Sequence, residues 1–423
     1  MKLVYNIALY SVGFLLKIAA LFNEKIKMGV EGRSKAFNIL EEHLSAKDRT
    51  FWFHCASLGE YEQGLPIFKQ LRKENPNHKI VLTFFSPSGY EIRKNTDIAD
   101  VVVYLPVDTK ANAKRFVKLV QPELTIFVKY DIWPNYLSEL KNRSLRAIFI
   151  SASFRKEQSY FKFYGGMMRN ALRAFEHIFV QNENSKNLLN TMDFKNVSVA
   201  GDTRYDRVSD QLLQDNTLLF IEQFKDNKLC VVVGSSWPED EALFVNYINS
   251  LPSQDVKFII APHNIRSNQI DQFVNQLQKK TVLFSEKENK NLSEYEVFLI
   301  DTIGILSKVY SYADLAYVGG AMGKTGLHNI LEPAVFGIPV IIGNNYKKFP
   351  EAYQMIANGG VISIKDSQEL KHILDMLIQN TDKRNQLGHL NAAFILKNKD
   401  AVIQIMNHIN NTTTNWRPDA SNI

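Results

Sequence analysis

The feature that most constrains this chain of 423 residues is a repeated alternation of short apolar runs with longer amphipathic stretches. Runs rich in β-branched and aromatic residues, separated by helical stretches, are typical of parallel sheets covered by helices on both faces. The first set of runs lies at Thr50–Ser57, Lys79–Ser86, Val101–Pro106, Leu124–Tyr130, Arg146–Ser151, His177–Gln181 and Val197–Gly201. The second set lies at Lys228–Gly234, Val256–Pro262, Thr281–Ser285, Val297–Asp301, Leu315–Gly320, Pro339–Gly343 and Gly360–Ile364. Two such sets predict an α/β protein with two Rossmann-like domains, joined in the polar stretch Arg207–Lys228.

Polar and glycine-rich clusters follow the ends of these runs again and again. Ligands of parallel α/β sheets bind in the crevice beyond the carboxyl ends of the strands. Nine clusters on one predicted edge therefore indicate a single cleft between the two domains. They are Ser57–Glu60, Ser86–Gly89, Asp131–Asn135, Ser151–Ser153, Gly201–Asp206, Gly234–Ser236, Pro262–Asn264, Asp301–Gly304 and Gly319–Pro333.

The N-terminus resembles a membrane element. Leu3–Phe22 is apolar apart from Asn6, Ser11 and Lys17, and no small-x-small cleavage site of a signal peptide follows it. Residues 1–35 carry six basic and two acidic side chains, which supplies four of the six net positive charges. This pattern predicts a membrane anchor over residues 1–25 that contacts anionic phospholipid, either spanning the membrane or lying in its plane. A helix packed on the protein body is the alternative.

The stretch Gly319–Gly326 contains Gly-Lys-Thr, but three residues instead of four separate Gly319 from Gly323, so a nucleotide P-loop is excluded. It follows a predicted strand and precedes a predicted helix, where backbone N–H groups can hold a phosphate. Glu332 then lies where its carboxylate can accept from ribose hydroxyls. It is equally well explained as a residue of the first helical turn that the helix dipole favours.

Glu60 has two interpretations. Ser57-Leu58-Gly59-Glu60 fits a capping box, in which a serine and a glutamate satisfy the first N–H groups of a helix. The same glutamate follows a strand end and can act as a general base. His54, inside an apolar run, is interpreted as a core histidine, and His328 as a residue that either packs its loop or contacts ligand.

Metal and nucleic-acid sites are not indicated. Cys55 and Cys230 lie in apolar runs, and no pair of Cys or His residues has metal-ligand spacing. Basic and aromatic residues do not interleave as they do in single-strand binders. The sequence therefore predicts no cofactor, no metal and no nucleic-acid partner.

These motifs together resemble the 3-deoxy-D-manno-octulosonic acid (Kdo) transferases. The resemblance covers nearly the whole chain, with the motifs in the family's order. It is carried by the N-terminal anchor, His54–Glu60, Asp131–Asn135, Ser151–Ser153, Gly201–Asp206, Asp301–Gly304, Val318–Gly320 and His328–Ala334.

The resemblance implies a GT-B fold, with two Rossmann-like domains facing across a cleft and a membrane-associated N-terminal helix. It implies a membrane anchor at 1–25, an acceptor domain at 26–210, a CMP-Kdo domain at 225–395 and a C-terminal helix and tail at 396–423. The implied reaction transfers Kdo from CMP-Kdo to a lipid A precursor, lipid IVA. It would take place on the cytoplasmic face of the inner membrane, in lipopolysaccharide inner-core synthesis.

The resemblance also assigns residues. Glu60 becomes the general base of an inverting displacement, and Asp131 and Arg204 become residues that support the transition state. The CMP half of the donor is expected at Pro262, His263, Ile303, Gly304, Ile305, Asn329, Ile330, Leu331 and Glu332.

The chain departs from the family pattern at several positions. Lys129 replaces a glutamate, Arg204 a lysine, His263-Asn264 an Arg-His pair, and Ile305 a glutamate. Arginine keeps the charge of lysine but not its geometry. The departures affect the expected contacts with CMP and leave Glu60 and Asn329–Glu332 intact.

Two alternatives stay open. A GT-B enzyme that transfers a UDP-sugar to another lipid would share the fold and the anchor, and a comparison of CMP with UDP binding separates the two. A catalytically silent scaffold bound to the membrane is the alternative from another class. A turnover assay separates that one.

Overall fold

The structure is a computed structural model that describes residues 2–252 and 255–412. The chain divides into two compact units. The first unit contains the residues up to Arg207 together with those from Lys399 onward, and the second contains Val208–Asn398.

The first unit is built on a seven-stranded parallel sheet in the order β3-β2-β1-β4-β5-β6-β7. Strand β1 (Thr50–Cys55) is buried on both faces of this sheet. Phe51 and Phe53 pack into one apolar cluster while Trp52 packs into the other, as alternation along a strand requires. The strands are β1 (Thr50–Cys55), β2 (Lys79–Phe84), β3 (Val101–Tyr104), β4 (Pro122–Val128), β5 (Arg146–Ala152), β6 (His177–Val180) and β7 (Val197–Val199).

Helices cover both faces of this sheet. In chain order they are α1 (Lys2–Ala19), α2 (Glu24–His43), α3 (Leu58–Glu74), α4 (Pro87–Arg93), α5 (Lys110–Val120), α6 (Pro134–Asn142), α7 (Gly166–Leu172), α8 (Glu183–Asn190) and α9 (Thr203–Asp210). The C-terminal helix of the chain, Ala401–Asn411, also packs on this unit, where Ile405 and Ile409 join the cluster of Phe51.

The second unit repeats the architecture with the sheet order β10-β11-β9-β8-β12-β13-β14. Its strands are β8 (Leu229–Ser236), β9 (Val256–Pro262), β10 (Thr281–Leu283), β11 (Val297–Leu299), β12 (Leu315–Val318), β13 (Val340–Ile342) and β14 (Val361–Ser363). Its helices are α10 (Leu219–Lys225), α11 (Pro238–Ser250), α12 (Ser267–Val274), α13 (Leu306–Val309), α14 (Leu331–Ala334), α15 (Pro350–Asn358), α16 (Ser367–Gln379) and α17 (Thr381–Asn398). The C-terminal helix that follows is α18 (Ala401–Asn411).

The direction of strand addition reverses once in each sheet. In the first unit the reversal falls between β1 and β4, and in the second between β8 and β12. At such a switch point the loops leaving two adjacent strands diverge to opposite faces and open a crevice. These two points are therefore where ligand sites are expected.

The predicted α/β class with two Rossmann-like units is confirmed, and every one of the fourteen predicted runs overlaps a strand. Helix α1 occupies most of the predicted anchor, whose membrane role stays a prediction. No helix within residues 2–252 and 255–412 is both long and apolar enough to cross a membrane. The cleft and the assignment of acceptor and CMP-Kdo to separate domains stay predictions, and the tail from residue 413 lies outside the described residues.

Candidate functional site

Glu60 lies in the first turn of α3, directly beyond the carboxyl end of β1 and at the switch point of the first unit. The predicted capping box is wrong. Ser57 is the residue at the helix cap, but its side chain makes no capping hydrogen bond and its hydroxyl instead donates to the Glu60 carboxylate. Glu60 is half-buried.

Asp131 lies on the other side of this switch point, in the loop between β4 and α6. Its Oδ2 accepts from His54 Nε2 at 2.9 Å and from Trp133 Nε1 at 3.2 Å. Nε2 of His54 also lies 3.0 Å from Trp133 Nε1, and its Nδ1 lies 2.8 Å from Thr83 Oγ1. The core-histidine interpretation of His54 is confirmed, since the ring is wholly buried with both nitrogens bonded.

The charges of both carboxylates act on the Cys55 thiol. Burial raises the pKa of the Cys55 thiol well above its usual value, and the negative charges of Glu60 and Asp131 raise it further. Cys55 ends β1 and is fully buried. The thiol is therefore an inert core residue, and the carboxylates carry the negative charge of this sheet edge.

Cationic side chains surround Tyr130 at the same edge. Lys129 Nζ lies 5.1 Å and Arg155 Cζ 5.8 Å from the centre of the Tyr130 ring. Burial raises the pKa of Tyr130, while the charges of Arg155 and Arg204 lower it and that of Glu60 raises it. Lys129 has a left-handed backbone with φ of 70°, which turns the chain sharply as it leaves β4. The site thus combines two carboxylates with positive charge on neighbouring loops.

Arg204 is fixed by its own loop. Asp202 accepts from Arg204 Nε at 2.9 Å and from its terminal nitrogen at 2.7 Å, and also from the Arg204 backbone N–H at 3.0 Å. Thr203 bonds Ser151 Oγ at 2.9 Å and donates to the backbone oxygen of Gln63 on α3. The structure therefore brings Glu60, Asp131 and Arg204 to one edge of one sheet, as the sequence predicted.

The glycine-rich loop of the second unit is held at its switch point by Asp240 on α11. This fully buried carboxylate accepts from Gly320 N at 2.8 Å, Trp237 N at 2.9 Å and Tyr317 Oη at 2.6 Å. A Cβ at Gly319 would lie 2.4 Å from the Ser235 carbonyl oxygen, so only glycine fits there. The loop is thus drawn tightly against the end of β8.

Three aromatic rings form one wall of this region. His263 stacks on Trp237 with ring centres 4.6 Å apart and lies 4.4 Å from His328. Trp237 Nε1 donates to His328 Nε2 at 3.1 Å, so His328 packs its loop. Burial lowers the pKa of His263, and burial together with His263 lowers that of His328 to about 4. Both rings are therefore neutral near pH 7, beside a cavity of about 270 Å³ lined in part by Trp237 and Pro262.

The expected CMP residues lie at the carboxyl ends of three strands of this sheet, β11, β9 and β12, with β8 between β9 and β12. Pro262 is the last residue of β9 and His263 follows it, Ile303–Ile305 follow β11, and Asn329–Glu332 follow β12. Asn329 Nδ2 donates to Glu332 Oε1 at 3.0 Å, and its Oδ1 accepts from Leu331 N at 3.2 Å.

The side chains of some expected CMP residues can contribute little to ligand binding. Ile330 and Leu331 are buried in the core, so a ligand could meet only their backbone. Ile303 is 85% exposed, and Gly304 beside it has a φ of 95°. Helix α14 has only four residues, which leaves a small dipole for the phosphate that the sequence predicted at its start.

Sequence reasoning missed three contributors to these sites. Asp240 lies three residues after Trp237, at the position where a capping carboxylate is common, and that spacing could have identified it. Asp108 accepts from backbone N–H groups at the start of α6, and Arg155 lies beside the Tyr130 ring. Neither residue carries a local signal in the sequence, because these partners are more than 20 residues away. Among the described residues, no group of three or more His, Cys, Asp or Glu side chains is arranged to hold a metal ion.

Comparison with known proteins identifies relatives. Residues 31–207 match the family model described as 3-deoxy-D-manno-octulosonic-acid transferase (kdotransferase). The chain is 28% identical to the 3-deoxy-D-manno-octulosonic acid transferase of Haemophilus influenzae over 371 residues, 84% of this chain and 85% of the relative. It is also 28% identical to the transferase of that name from Aquifex aeolicus over 340 residues, 78% of this chain and 86% of the relative.

Solved structures share the fold at lower identity. UDP-GlcNAc 2-epimerase from Neisseria meningitidis matches with a TM-score of 0.58 at 15% identity, covering 84% of this chain and all of that one. MurG from Acinetobacter baumannii matches with a TM-score of 0.55 at 10% identity, covering 86% of this chain and all of that one. With the two seven-stranded sheets, these likenesses confirm the predicted GT-B fold class. The chain is thus similar, over most of its length, to proteins named as 3-deoxy-D-manno-octulosonic acid (Kdo) transferases.

Proposed function

We propose that this protein transfers Kdo from CMP-Kdo to a lipid A precursor, lipid IVA, with inversion at the anomeric carbon and with Glu60 as the general base. The observation that carries the proposal is the position of Glu60 and Asp131. They follow β1 and β4, the two strands that flank the switch point of the first unit. Similarity to the Kdo transferases supports the choice of donor and the class of acceptor.

The reaction needs a base on one face of the sugar. The acceptor hydroxyl oxygen forms a bond to the anomeric carbon of Kdo while the bond from that carbon to the phosphate oxygen of CMP breaks. The hydroxyl proton passes to the Glu60 carboxylate, and CMP leaves with the bonding electrons. Ser57, which donates to Glu60, holds the carboxylate in one orientation for this transfer.

Positive charge near Glu60 suits an acidic sugar. Kdo is itself a carboxylic acid, and Lys129, Arg155 and Arg204 lie around Tyr130 on the loops beside Glu60. Asp131, oriented by His54 and Trp133, can stabilise positive charge that develops at the anomeric carbon. No step of this proposal is assigned to a metal or cofactor.

We assign CMP to the second unit. The carboxylate of Glu332, held by Asn329, is available to ribose hydroxyls, and Gly304 and Ile303 present exposed backbone. Neutral His263 can donate one hydrogen bond, in place of the arginine of the family pattern. Ile305, Ile330 and Leu331 complete the proposed surface, the latter two through their backbone.

We place the protein at the cytoplasmic face of the inner membrane, bound to phospholipid through α1. This helix exposes Phe14 and Leu15 to solvent at 65% and 61%, and Phe22, which follows it, at 86%. Lys25 and Lys27 come next in the chain, where they can meet anionic headgroups. Elsewhere in the first unit Phe163 is 96% exposed beside Lys162, a second apolar and basic point of contact.

Vesicle binding tests this location. Phe14→Ser should lower partitioning of the protein onto vesicles roughly thirtyfold, because a buried phenylalanine contributes on the order of 2 kcal/mol. Leu213→Ser removes an apolar side chain of the second unit that is even more exposed, at 86%, and should have no effect. Lys25→Gln should weaken binding only to vesicles that contain anionic phospholipid. Equal sedimentation of Phe14→Ser and the unmodified protein would assign the contact to another surface.

A product assay tests the function itself. Incubation with CMP-Kdo and tetraacyl lipid A precursor should yield a lipid whose mass has increased by one or more Kdo residues. The same incubation with UDP-sugars should leave the lipid unchanged. A product from a UDP-sugar alone would establish the alternative of a UDP-dependent GT-B enzyme, and no product from any donor would favour the silent scaffold.

A further inference from the structure

The loop that carries Asp131 ends where α6 begins, and the start of α6 is held by a carboxylate from another loop. Asp108, fully buried between β3 and α5, accepts from Asn135 N at 3.0 Å and from Tyr136 N at 2.9 Å. Asn135 Nδ2 donates in turn to the Asp108 backbone oxygen. Asp108 therefore satisfies two of the first N–H groups of α6, which no residue at the start of that helix does.

The same carboxylate reaches the exposed apolar helix α1. Tyr5 Oη donates to Asp108 Oδ2 at 2.8 Å, and Asn135 Nδ2 donates to Asn6 Oδ1 at 3.0 Å. The neighbours Val4 and Ile7 are exposed at 68% and 57%, so at this contact α1 turns Tyr5 and Asn6 inward and the two apolar residues outward. Burial raises the pKa of Asp108 to about 6, which leaves the carboxylate ionised near pH 7.5 as the acceptor of all three donors.

The connection continues to the candidate active site. Trp133 is the last residue before α6, and its indole N–H donates to Asp131 at 3.2 Å. A shift of the first turn of α6 would move Trp133 and so release one of the two donors that orient Asp131. The second donor, His54, is fixed in the core and cannot follow such a shift.

We propose that Asp108 is a positioning residue, which, through Tyr5 on α1 and the first turn of α6, couples the N-terminal helix to the orientation of Asp131. The proposal rests on the proposed function for the role of Asp131. In this arrangement α1 is part of the catalytic unit and not a detachable anchor. Removing the Tyr5–Asp108 bond therefore slows turnover without weakening substrate binding.

Tyr5→Phe tests the coupling, because it deletes one hydroxyl and keeps the ring. We expect kcat in the product assay to fall about three- to tenfold, with KM nearly unchanged and the melting temperature lowered by only a few degrees. Tyr10→Phe is the matched control, since Tyr10 lies on the same helix with its ring 63% exposed, and it should behave as the unmodified protein. Asp108→Ala leaves three donors unsatisfied and is expected to unfold the unit, so this variant is not used to test the coupling.

Amide hydrogen exchange supplies a readout independent of catalysis. The N–H groups of Asn135 and Tyr136 should exchange about tenfold faster in Tyr5→Phe than in Tyr10→Phe. Faster exchange with unchanged kcat, or unchanged exchange, would each overturn the proposal. If the unmodified protein transfers no Kdo, the proposed function fails. Unchanged exchange would then still reject the coupling on its own.

Discussion

Glu60→Gln should lose at least a hundredfold in kcat while its melting temperature and its affinity for CMP stay close to those of the unmodified protein. Glutamine has nearly the size of glutamate and can still accept a hydrogen bond from Ser57, but it cannot take a proton from the acceptor. A positioned general base contributes about 10²–10⁴ in rate, or roughly 3–5 kcal/mol of the barrier.

The alternative role for Glu60 makes the opposite prediction. A residue that only caps α3 would contribute about 1 kcal/mol of stability, and its loss would scarcely alter turnover. The structure argues against that role, since the Ser57 side chain makes no capping bond and faces the carboxylate. Ser57→Ala should therefore cost less in kcat than Glu60→Gln, because it removes a positioning contact and leaves the base.

Glu62→Gln is the matched control for charge. Glu62 lies two residues further along α3 and pairs with Arg93 at 2.7 Å and with Arg207 at 3.1 Å. The substitution makes the same change of charge in the same helix, and we expect a lower melting temperature with nearly normal kcat. If Glu60→Gln melts early and turns over normally, the base must be sought among other groups of this sheet edge.

The positions of the strands could be predicted because a strand that is buried on both faces shows in the sequence as a continuous apolar run. A strand such as β1, in which Phe51, Phe53 and Trp52 enter two different cores, must be apolar at every position. The edge on which Glu60, Asp131 and Arg204 lie follows from parallel pairing alone. Their chemical roles came from the family resemblance.

The supports of the site could not be predicted, because their hydrogen bonds join residues distant in the chain. Asp108 meets Asn135 across 27 residues, and Tyr5 meets Asp108 across 103. The exact path of the backbone decides these pairs, and an aspartate that will cap a remote helix looks like any other loop aspartate. The capping box at Ser57 failed for a related reason, since a side chain near a strand end has partners other than the helix N–H groups.

Asp240→Ala should be the most destabilising single substitution considered for the second unit. It leaves the N–H groups of Gly320 and Trp237 and the hydroxyl of Tyr317 without their acceptor in a fully buried place. A buried donor without a partner costs about 1–3 kcal/mol, and bonds to a charged acceptor lie at the upper end of that range. Because the three losses overlap, we expect about 3–5 kcal/mol in all, or roughly 6–20 °C in melting temperature.

Asp240→Ala should also weaken the binding of CMP. Without Asp240 the loop that begins at Gly319 is no longer drawn onto the end of β8, so calorimetry should find weaker binding of CMP wherever the variant remains folded. Glu332→Ala separates the two effects. It should lower the affinity for CMP with little change in melting temperature, because Glu332 is half-buried and bonds Asn329 on its own loop.

Tyr317→Phe calibrates the measurement, because it removes one donor and leaves Asp240 its two backbone partners. We expect it to cost about 2 kcal/mol, because one hydrogen bond to a charged group contributes about 1.5–3 kcal/mol. If Asp240→Ala melts within a degree of Tyr317→Phe, the carboxylate does not hold the loop. The packing of Gly319 against the Ser235 carbonyl oxygen would then have to hold it alone. A large difference in melting temperature between the two variants would show that the bonds from the backbone N–H groups of Gly320 and Trp237 fix the glycine-rich loop at the switch point.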